Sequence, residues 1–136
     1  MAIIKIPVVT DYILIVDDNV QFTRLEKAIL DDDGEVHIAY DGEEAFNKLG
    51  EQNYDLVVSD VDMPIMDGLS FYRKAIQKYP AIKGKFLFIT GDDSPERLAF
   101  FKEHGIEHLL KPSSVKEIRI AARKILVLNS PPSSQG

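Results

Sequence analysis

The sequence contains no cysteine, which excludes disulfide frameworks, thiol nucleophiles and thiolate metal sites. It also lacks an apolar run of the roughly 18 residues that a membrane-spanning helix requires. The N-terminal segment MAIIKIPVVTD has one lysine and a proline inside a short apolar stretch, which is not typical of a signal peptide. We therefore expect a cytoplasmic protein that has no membrane segment.

A basic stripe is also missing, although direct nucleic-acid binding usually requires one. The chain has 22 acidic and 16 basic residues, a formal net charge of −6, and the basic residues are scattered among the acids. We therefore expect no direct contact with nucleic acid. Its 136 residues, 45% of them hydrophobic, suit one globular domain with a sizeable core.

Five short apolar runs alternate with helical patterns along the chain. The runs are Tyr12–Val16, Glu35–Ala39, Leu56–Ser59, Phe86–Thr90 and Glu107–Leu110. Residues 1–10 are expected to form a lead-in, residues 11–128 the domain, and residues 129–136 (NSPPSSQG) a flexible tail or linker.

Helix signals fill the gaps between these runs. They are the apolar spacing of Phe22, Leu25, Ala28 and Ile29, the Asp41–Glu44 and Ser114–Glu117 pairs typical of capping boxes, a pattern over residues 69–78, and a Ser94–Pro95 start of a helix ending near Gly105. Phe100 and Phe101 are adjacent on that last helix, so only one is expected in the core. The alternation predicts an α/β fold, a doubly wound, flavodoxin-like parallel sheet of five strands in the order 2-1-3-4-5 with helices on both faces.

Polar residues stand where four of the five runs end. Asp17 and Asp18 follow the first run, Asp60 follows the third, Thr90 ends the fourth and Lys111 follows the fifth. In the predicted order the first and third strands are neighbours, and their carboxyl ends mark the point where such sheets bind ligands. We therefore expect these five residues at one edge of the sheet.

The types of these residues indicate phosphoryl chemistry. Carboxylates without histidine or cysteine favour a hard cation, and we expect Mg²⁺. Lys111 supplies a fixed positive charge and Thr90 a hydroxyl donor. An acid pair, an acceptor carboxylate, a hydroxyl and a lysine are the parts needed to hold a transferring phosphoryl group.

The same residues lie in motifs that resemble the receiver domains of two-component response regulators, the chemotaxis-regulator-like family. The motifs are DD at 17–18, DLVVSD at 55–60, MPIMDG at 63–68, T at 90 and KP at 111–112. The resemblance covers residues 12–128. It implies that Asp60 is the phosphoacceptor, that Thr90 and Lys111 contact the phosphoryl group, and that Asp18 is a metal ligand. It further implies that Asp17 is a ligand or a water-mediated second acid, that Asp62 ligates through its backbone carbonyl, and that the bond before Pro112 is cis.

The resemblance also implies a function, that of a switch and not of a metabolic enzyme. A phosphohistidine of a histidine kinase or phosphotransfer protein would donate to Asp60, and the domain would catalyse both this transfer and later hydrolysis with Mg²⁺. The partners would be that donor and a downstream output domain or target, with dimerisation on phosphorylation left open. The sequence departs from the family at His108, where an aromatic switch residue is usual, and at Gly91, where alanine is common.

Other interpretations fit parts of the pattern. Asp17 and Asp18 alone would suit a helix cap. Asp60-Val61-Asp62 fits the DxD motif of haloacid-dehalogenase-like phosphatases, but there the motif follows the first strand and the acid pair comes last. A pseudo-receiver that binds a partner without phosphorylation would not need the intact acceptor set. A nucleotide site would need a glycine-rich loop after the first strand, which is absent.

Overall fold

The computed structural model describes residues 10–129, and the rest of the predicted lead-in and tail lies outside the described residues. Its strands are β1 (Tyr12–Val16), β2 (Glu35–Ala39), β3 (Leu56–Ser59), β4 (Phe86–Thr90) and β5 (Glu107–Leu110). Its α-helices are α1 (Val20–Leu30), α2 (Gly42–Leu49), α3 (Gly68–Lys78), α4 (Pro95–His104) and α5 (Val115–Leu128). A short 3₁₀ helix (Pro80–Ile82), which was not predicted from the sequence, precedes β4.

The strands form one parallel sheet in the order β2-β1-β3-β4-β5, which confirms the predicted topology. Successive side chains of a strand point to opposite faces, and both faces are covered. Leu14 and Val57 pack under α2, α3 and α4, whereas Ile15 and Val58 pack under α1 and α5. Burial on both sides explains why the central strands β1, β3 and β4 lack polar alternation.

The helix starts agree with the sequence signals in all but one detail. Ser114 and Glu117 form the predicted reciprocal capping box at α5. At α2, Asp41 Oδ1 accepts from the Glu44 backbone N–H at 2.8 Å, but the Glu44 carboxylate accepts from the backbone of Tyr40, not from that of Asp41. The prediction of a reciprocal box at α2 was therefore wrong. The difference arises because the Glu44 side chain reaches one residue beyond the cap.

Helix α1 forms where it was predicted but buries a different set of residues. Its buried side chains are Thr23, Glu26, Ile29 and Leu30, while Leu25 is 50% exposed. The hydroxyl of Thr23 donates to the carbonyl of Val20 at 2.7 Å, so that polar group is satisfied inside the helix. A polar residue and an acid therefore occupy positions that the apolar spacing did not indicate.

The end of α5 is hydrogen-bonded to the segment that precedes β4. The side-chain amide of Asn129, the first residue of the predicted tail, donates to the carbonyls of Gly84 at 3.1 Å and Ile125 at 2.9 Å. Of the helices in the described part of the chain, none is long and apolar enough to cross a membrane.

Candidate functional site

Three carboxylates meet where β1 and β3 end. One oxygen each of Asp17, Asp18 and Asp60 lies within 4.8 Å of the others. The backbone N–H of Asp60 donates to the carbonyl of Val16 at 2.9 Å, which carries the pairing of the two strands up to the acids. Among residues 10–129, these three form the one group of acidic, histidine or cysteine side chains placed to share a metal ion.

Local hydrogen bonds orient two of the three acids. Asp17 Oδ1 accepts from the backbone N–H of Asn19 at 2.9 Å, and Asn19, not either acid, caps α1 through the N–H of Phe22. Asp60 Oδ1 accepts from the N–H of Val61 at 2.8 Å. Neither Asp17 nor Asp18 therefore serves as the cap of α1. The Oδ2 atoms of Asp17 and Asp60 both face a cation.

That cation is Lys111. Its Nζ lies 3.5 Å from Asp17 Oδ2 and 3.7 Å from Asp60 Oδ2, and 4.4 Å from the centre of the Phe22 ring. The backbone N–H of Lys111 donates to the carbonyl of Thr90 at 2.8 Å, and the Lys111–Pro112 bond is cis, as the resemblance implied. Lys111 thus joins the end of β5 to the acids on β1 and β3.

The electrostatics of the acid cluster favour a bound cation. Burial raises the pKa of Asp17, opposed by the hydrogen bond from Asn19 and by the charge of Lys111. Burial likewise raises the pKa of Asp60, with Lys111 lowering it and Asp17 raising it. Crowded carboxylates with raised pKa values are stabilised in their charged form by a nearby cation. The site could therefore bind a metal ion.

Thr90 ends β4 with its side chain fully buried. Its Oγ1 accepts a hydrogen bond from the backbone N–H of Asp92 at 3.1 Å. The hydroxyl proton stays available to donate, as a phosphoryl oxygen would require. Asp62 differs from the other predicted site residues, because its carboxylate is 69% exposed and is not part of the acid cluster.

The loop after β3 packs closely on the start of α3. The backbone N–H of Gly68 donates to the carbonyl of Val61 at 2.7 Å, and a Cβ at position 68 would lie only 2.2 Å from the carbonyl oxygen of Asp60. Within the loop, Ile65 is 77% exposed at a φ of 68°, a strained conformation for a β-branched residue. Only a glycine at position 68 leaves room for the Asp60 carbonyl where the structure places it.

Glu26 lies near the site but was not predicted from the sequence to belong to it. It is buried on α1, and burial raises its pKa to about 8, with Asp17 and Asp60 adding to the effect and Lys111 opposing it. At neutral pH its carboxyl group is therefore mostly protonated. One signal in the sequence could have indicated its burial. Glu26 lies three residues from both Thr23 and Ile29, on the same face of α1.

His108 is the residue that the resemblance places at the family's switch aromatic. It is half-buried on β5, and its ring stacks on Phe101 with a centroid separation of 4.7 Å and an interplanar angle of 22°. With Leu98, Lys102, Gly105 and neighbouring residues it lines an open groove between α4 and β5.

Comparisons with known proteins agree with this fold and site. A family model described as "Response regulator receiver domain" matches residues 13–123. The chain is 31% identical over 116 residues to the transcriptional regulatory protein TrcR of Mycobacterium tuberculosis, covering 84% of this chain and 44% of that protein. It is 35% identical over 106 residues to the CAI-1 autoinducer sensor kinase/phosphatase CqsS of Vibrio cholerae, covering 74% of this chain and 15% of that protein.

Solved structures give the same result. The chemotaxis protein CheY4 of Vibrio cholerae aligns with a TM-score of 0.78 at 29% identity, covering 87% of this chain and all of that one. A CheY-like receiver domain protein of Methanospirillum hungatei JF-1 aligns with a TM-score of 0.81 at 27% identity, covering 89% and 97%.

Fold, site and relatives together define a phosphoacceptor domain that acts as a signalling switch. The chain belongs to the response regulator receiver domain family of two-component systems. It spans less than half the length of the curated relatives TrcR and CqsS. In this chain the acid pair follows the first strand and Asp60-Val61-Asp62 follows the third. The motifs therefore do not have the order of haloacid-dehalogenase-like phosphatases, in which the DxD motif follows the first strand.

Proposed function

We propose that Asp60 accepts a phosphoryl group from a phosphohistidine of a histidine kinase or phosphotransfer protein. The observation that carries this proposal is the position of Asp60 Oδ2, beside two further acids and 3.7 Å from Nζ of Lys111. A carboxylate oxygen beside a fixed cation, at the carboxyl edge of the sheet, is suited to attack phosphorus and to tolerate the charge that arrives with it.

The transfer exchanges one bond for another. Oδ2 of Asp60 forms a bond to phosphorus while the phosphorus–nitrogen bond breaks, and the imidazole leaves with the electron pair. Lys111 balances negative charge on the phosphoryl oxygens, and the Thr90 hydroxyl donates its available proton to one of them. Hydrolysis by water later releases inorganic phosphate and restores the carboxylate, so the domain acts on itself and not on a metabolite.

Mg²⁺ is the cofactor that fits the donor set. The carboxylates of Asp17, Asp18 and Asp60 would hold it, with the backbone carbonyl of Asp62 as a further ligand, because all of these donors are oxygens. When bound, the ion would supply positive charge that neutralises the phosphoryl oxygens. The raised pKa values of Asp17 and Asp60 support this assignment, because burial, with a smaller effect of the neighbouring acids, disfavours their charged forms, which a bound cation would stabilise.

The relatives suggest where the signal comes from and goes to. They include a sensor kinase/phosphatase and transcriptional regulators that are longer than this chain. Residues 11–128 would act as the receiver unit in the cytoplasm, and phosphorylation would alter the surface formed by α4, β5 and α5 for an output domain, a target or a second copy of the chain.

The test is phosphorylation of Asp60→Asn beside the wild-type protein. With Mg²⁺ and acetyl phosphate or a cognate phosphohistidine donor, we expect wild type to gain a hydroxylamine-labile adduct and Asp60→Asn to gain none, because the amide is nearly isosteric but a poor nucleophile. Asp32→Asn is the matched control, since Asp32 is an exposed acid in the turn before β2. An adduct that persists in Asp60→Asn would contradict the assignment.

A further inference from the structure

Arg97, in the first turn of α4, contacts two acids at once. Its Nη2 lies 3.5 Å from Asp92 Oδ2 and 3.7 Å from Asp62 Oδ1. The side chain is only 17% exposed, and Nη1 is buried with no hydrogen-bond partner. A guanidinium largely withdrawn from water is costly unless nearby acids hold it. The two carboxylates therefore fix the position of Arg97.

These two acids lie on the two loops that flank the proposed phosphoryl pocket. Asp62 is two residues beyond the acceptor Asp60, and Asp92 is two residues beyond Thr90. Because one guanidinium faces both carboxylates, Arg97 links the loop after β3 to the loop after β4. A movement of either loop changes the electrostatic energy of the same side chain.

A chain of hydrogen bonds connects the same helix to the Thr90 hydroxyl. The N–H of Asp92 donates to Thr90 Oγ1 at 3.1 Å, and the N–H of Ser94 donates to Asp92 Oδ1 at 2.8 Å. Ser94 is the N-cap of α4, and its hydroxyl accepts from the N–H of Arg97 at 3.3 Å. The backbone of Arg97 thus extends this chain while its side chain returns to Asp92.

We propose that Arg97 is a positioning residue that couples the phosphoryl state of Asp60 to helix α4. The inference rests on the proposed function. A phosphoryl group on Asp60 adds negative charge beside the loop that carries Asp62, one of the two acids that pair with Arg97. It also accepts a hydrogen bond from the Thr90 hydroxyl and draws that hydroxyl toward itself. Both changes act on Asp62 and Asp92, the two carboxylates that hold Arg97. Since Arg97 belongs to the first turn of α4, the helix responds to the occupant of the pocket.

The test compares backbone amide chemical shifts of the full chain in Mg²⁺ before and after addition of beryllium fluoride, a phosphoryl mimic. In wild type we expect amides of residues 95–104 to shift along with those around Asp60 and Thr90. In Arg97→Gln we expect the shifts over residues 95–104 to fall to about half or less, while those around Asp60 and Thr90 persist. Lys102→Gln, which removes an exposed positive charge from the same helix, is the matched control and should respond like wild type.

Two further variants separate the loss of the two Arg97 ion pairs from a loss of helix stability. Arg97→Lys keeps the charge but loses the fork that faces two carboxylates, so it should restore only part of the response. Asp92→Asn removes one ionic contact from the other side, at a carboxylate that is 42% exposed. It should weaken the response of α4 even if Arg97→Gln melts too early for measurement.

The outcomes distinguish this inference from the function on which it rests. An undiminished response of residues 95–104 in Arg97→Gln, or in Asp92→Asn if the former does not fold, overturns the coupling while leaving phosphorylation of Asp60 intact. A wild-type protein whose Asp60 and Thr90 amides ignore the mimic contradicts the proposed function itself, and the coupling with it. By reciprocity, the affinity of Arg97→Gln for beryllium fluoride should also differ from that of wild type, by about twofold or more.

Discussion

Nζ of Lys111 lies 3.7 Å from Oδ2 of Asp60, while Oδ1 of the same carboxylate is held by the backbone of Val61. The two oxygens of the proposed acceptor are therefore not equivalent. One is engaged in a local hydrogen bond, and the other faces the lysine and the remaining acids. The charge of Lys111 is thus directed at the oxygen proposed to react.

Replacement of Lys111 by glutamine should raise the pKa of Asp60 further, because the lysine opposes the effect of burial. It should also slow labelling of Asp60 by acetyl phosphate by about tenfold or more, since a preorganised positive charge is lost from the reacting oxygens. Carboxyl-carbon NMR titration and adduct formation over time measure the two effects. Lys124→Gln, which removes an exposed partner of Glu107, is the control. An unchanged titration of Asp60 in Lys111→Gln would contradict the assigned role of the lysine.

Magnesium should stabilise the fold through the acid cluster. At a hundredfold excess over Kd, binding to the folded state alone adds about 2.7 kcal/mol, a rise in Tm on the order of 10 °C for a domain of this size. Asp18→Ala should raise the Tm of the metal-free protein by relieving repulsion, and it should reduce the Mg²⁺-induced rise. Melting curves at fixed ionic strength, with and without millimolar Mg²⁺, measure both.

Asp32→Ala serves as the control for that experiment, because Asp32 is an exposed acid outside the cluster. It should keep the full response to Mg²⁺. Equal responses in wild type and Asp18→Ala would show that the ion binds elsewhere, and no response in either protein would show that the acid cluster does not bind Mg²⁺.

Burial of Glu26 should make stability fall as pH rises. Its folded-state pKa of about 8 exceeds the ordinary value of 4.5, so between these values the folded state binds more protons than the unfolded state. The contribution is fully present below pH 4.5 and is lost as pH rises through 8, at up to about 1.4 kcal/mol per pH unit. Glu26→Gln, whose amide does not titrate, should lose this part of the slope in the free energy of unfolding.

The measurement is chemical denaturation at several pH values between 5 and 8 with a chelator present, so that no metal alters the acid cluster. Asp17 and Asp60 contribute to the slope with the same sign, because their pKa values are also raised, and their contribution stays in the variant. Glu43→Gln, at an exposed position of α2, should keep the wild-type slope. A Glu26→Gln protein with the wild-type slope would contradict the prediction.

The two adjacent phenylalanines of α4 should differ in their contribution to stability. Phe101 is fully buried between Phe88 and His108, whereas Phe100 is half-buried against His104 and Arg73. Phe101→Ala should cost roughly 3–5 kcal/mol in the free energy of unfolding, and Phe100→Ala clearly less. Equal losses in urea denaturation would show that the helix is rotated from the position described.

The strands and the acid cluster were predictable because their signals are local. The central strands β1, β3 and β4 are runs buried on both faces, and four of the five runs end at a polar residue. Parallel pairing then brings Asp17, Asp18, Asp60 and Lys111 to one edge. The buried face of α1 was not predictable in the same way. Its apolar spacing would place Leu25 inside, but the structure places Glu26 there. The charged residues that act on Glu26 follow three separate strands, so the sequence of the helix does not reveal them.

The choice between Phe100 and Phe101 was likewise open, since it depends on the rotation of α4 against Phe88. The two ion pairs of Arg97 depend on the backbone path of the loops that carry Asp62 and Asp92. Neither loop has a periodic pattern in the sequence, so their approach to one guanidinium becomes visible only in the folded chain.

The tight packing of Gly68 on the carbonyl of Asp60 has a genetic consequence. Any side chain at position 68 would collide with the backbone of Asp60, so the damage from such a mutation would fall on the acceptor even though its own codon is unchanged. A screen for loss of signalling should therefore recover substitutions at Gly68 together with those at Asp60.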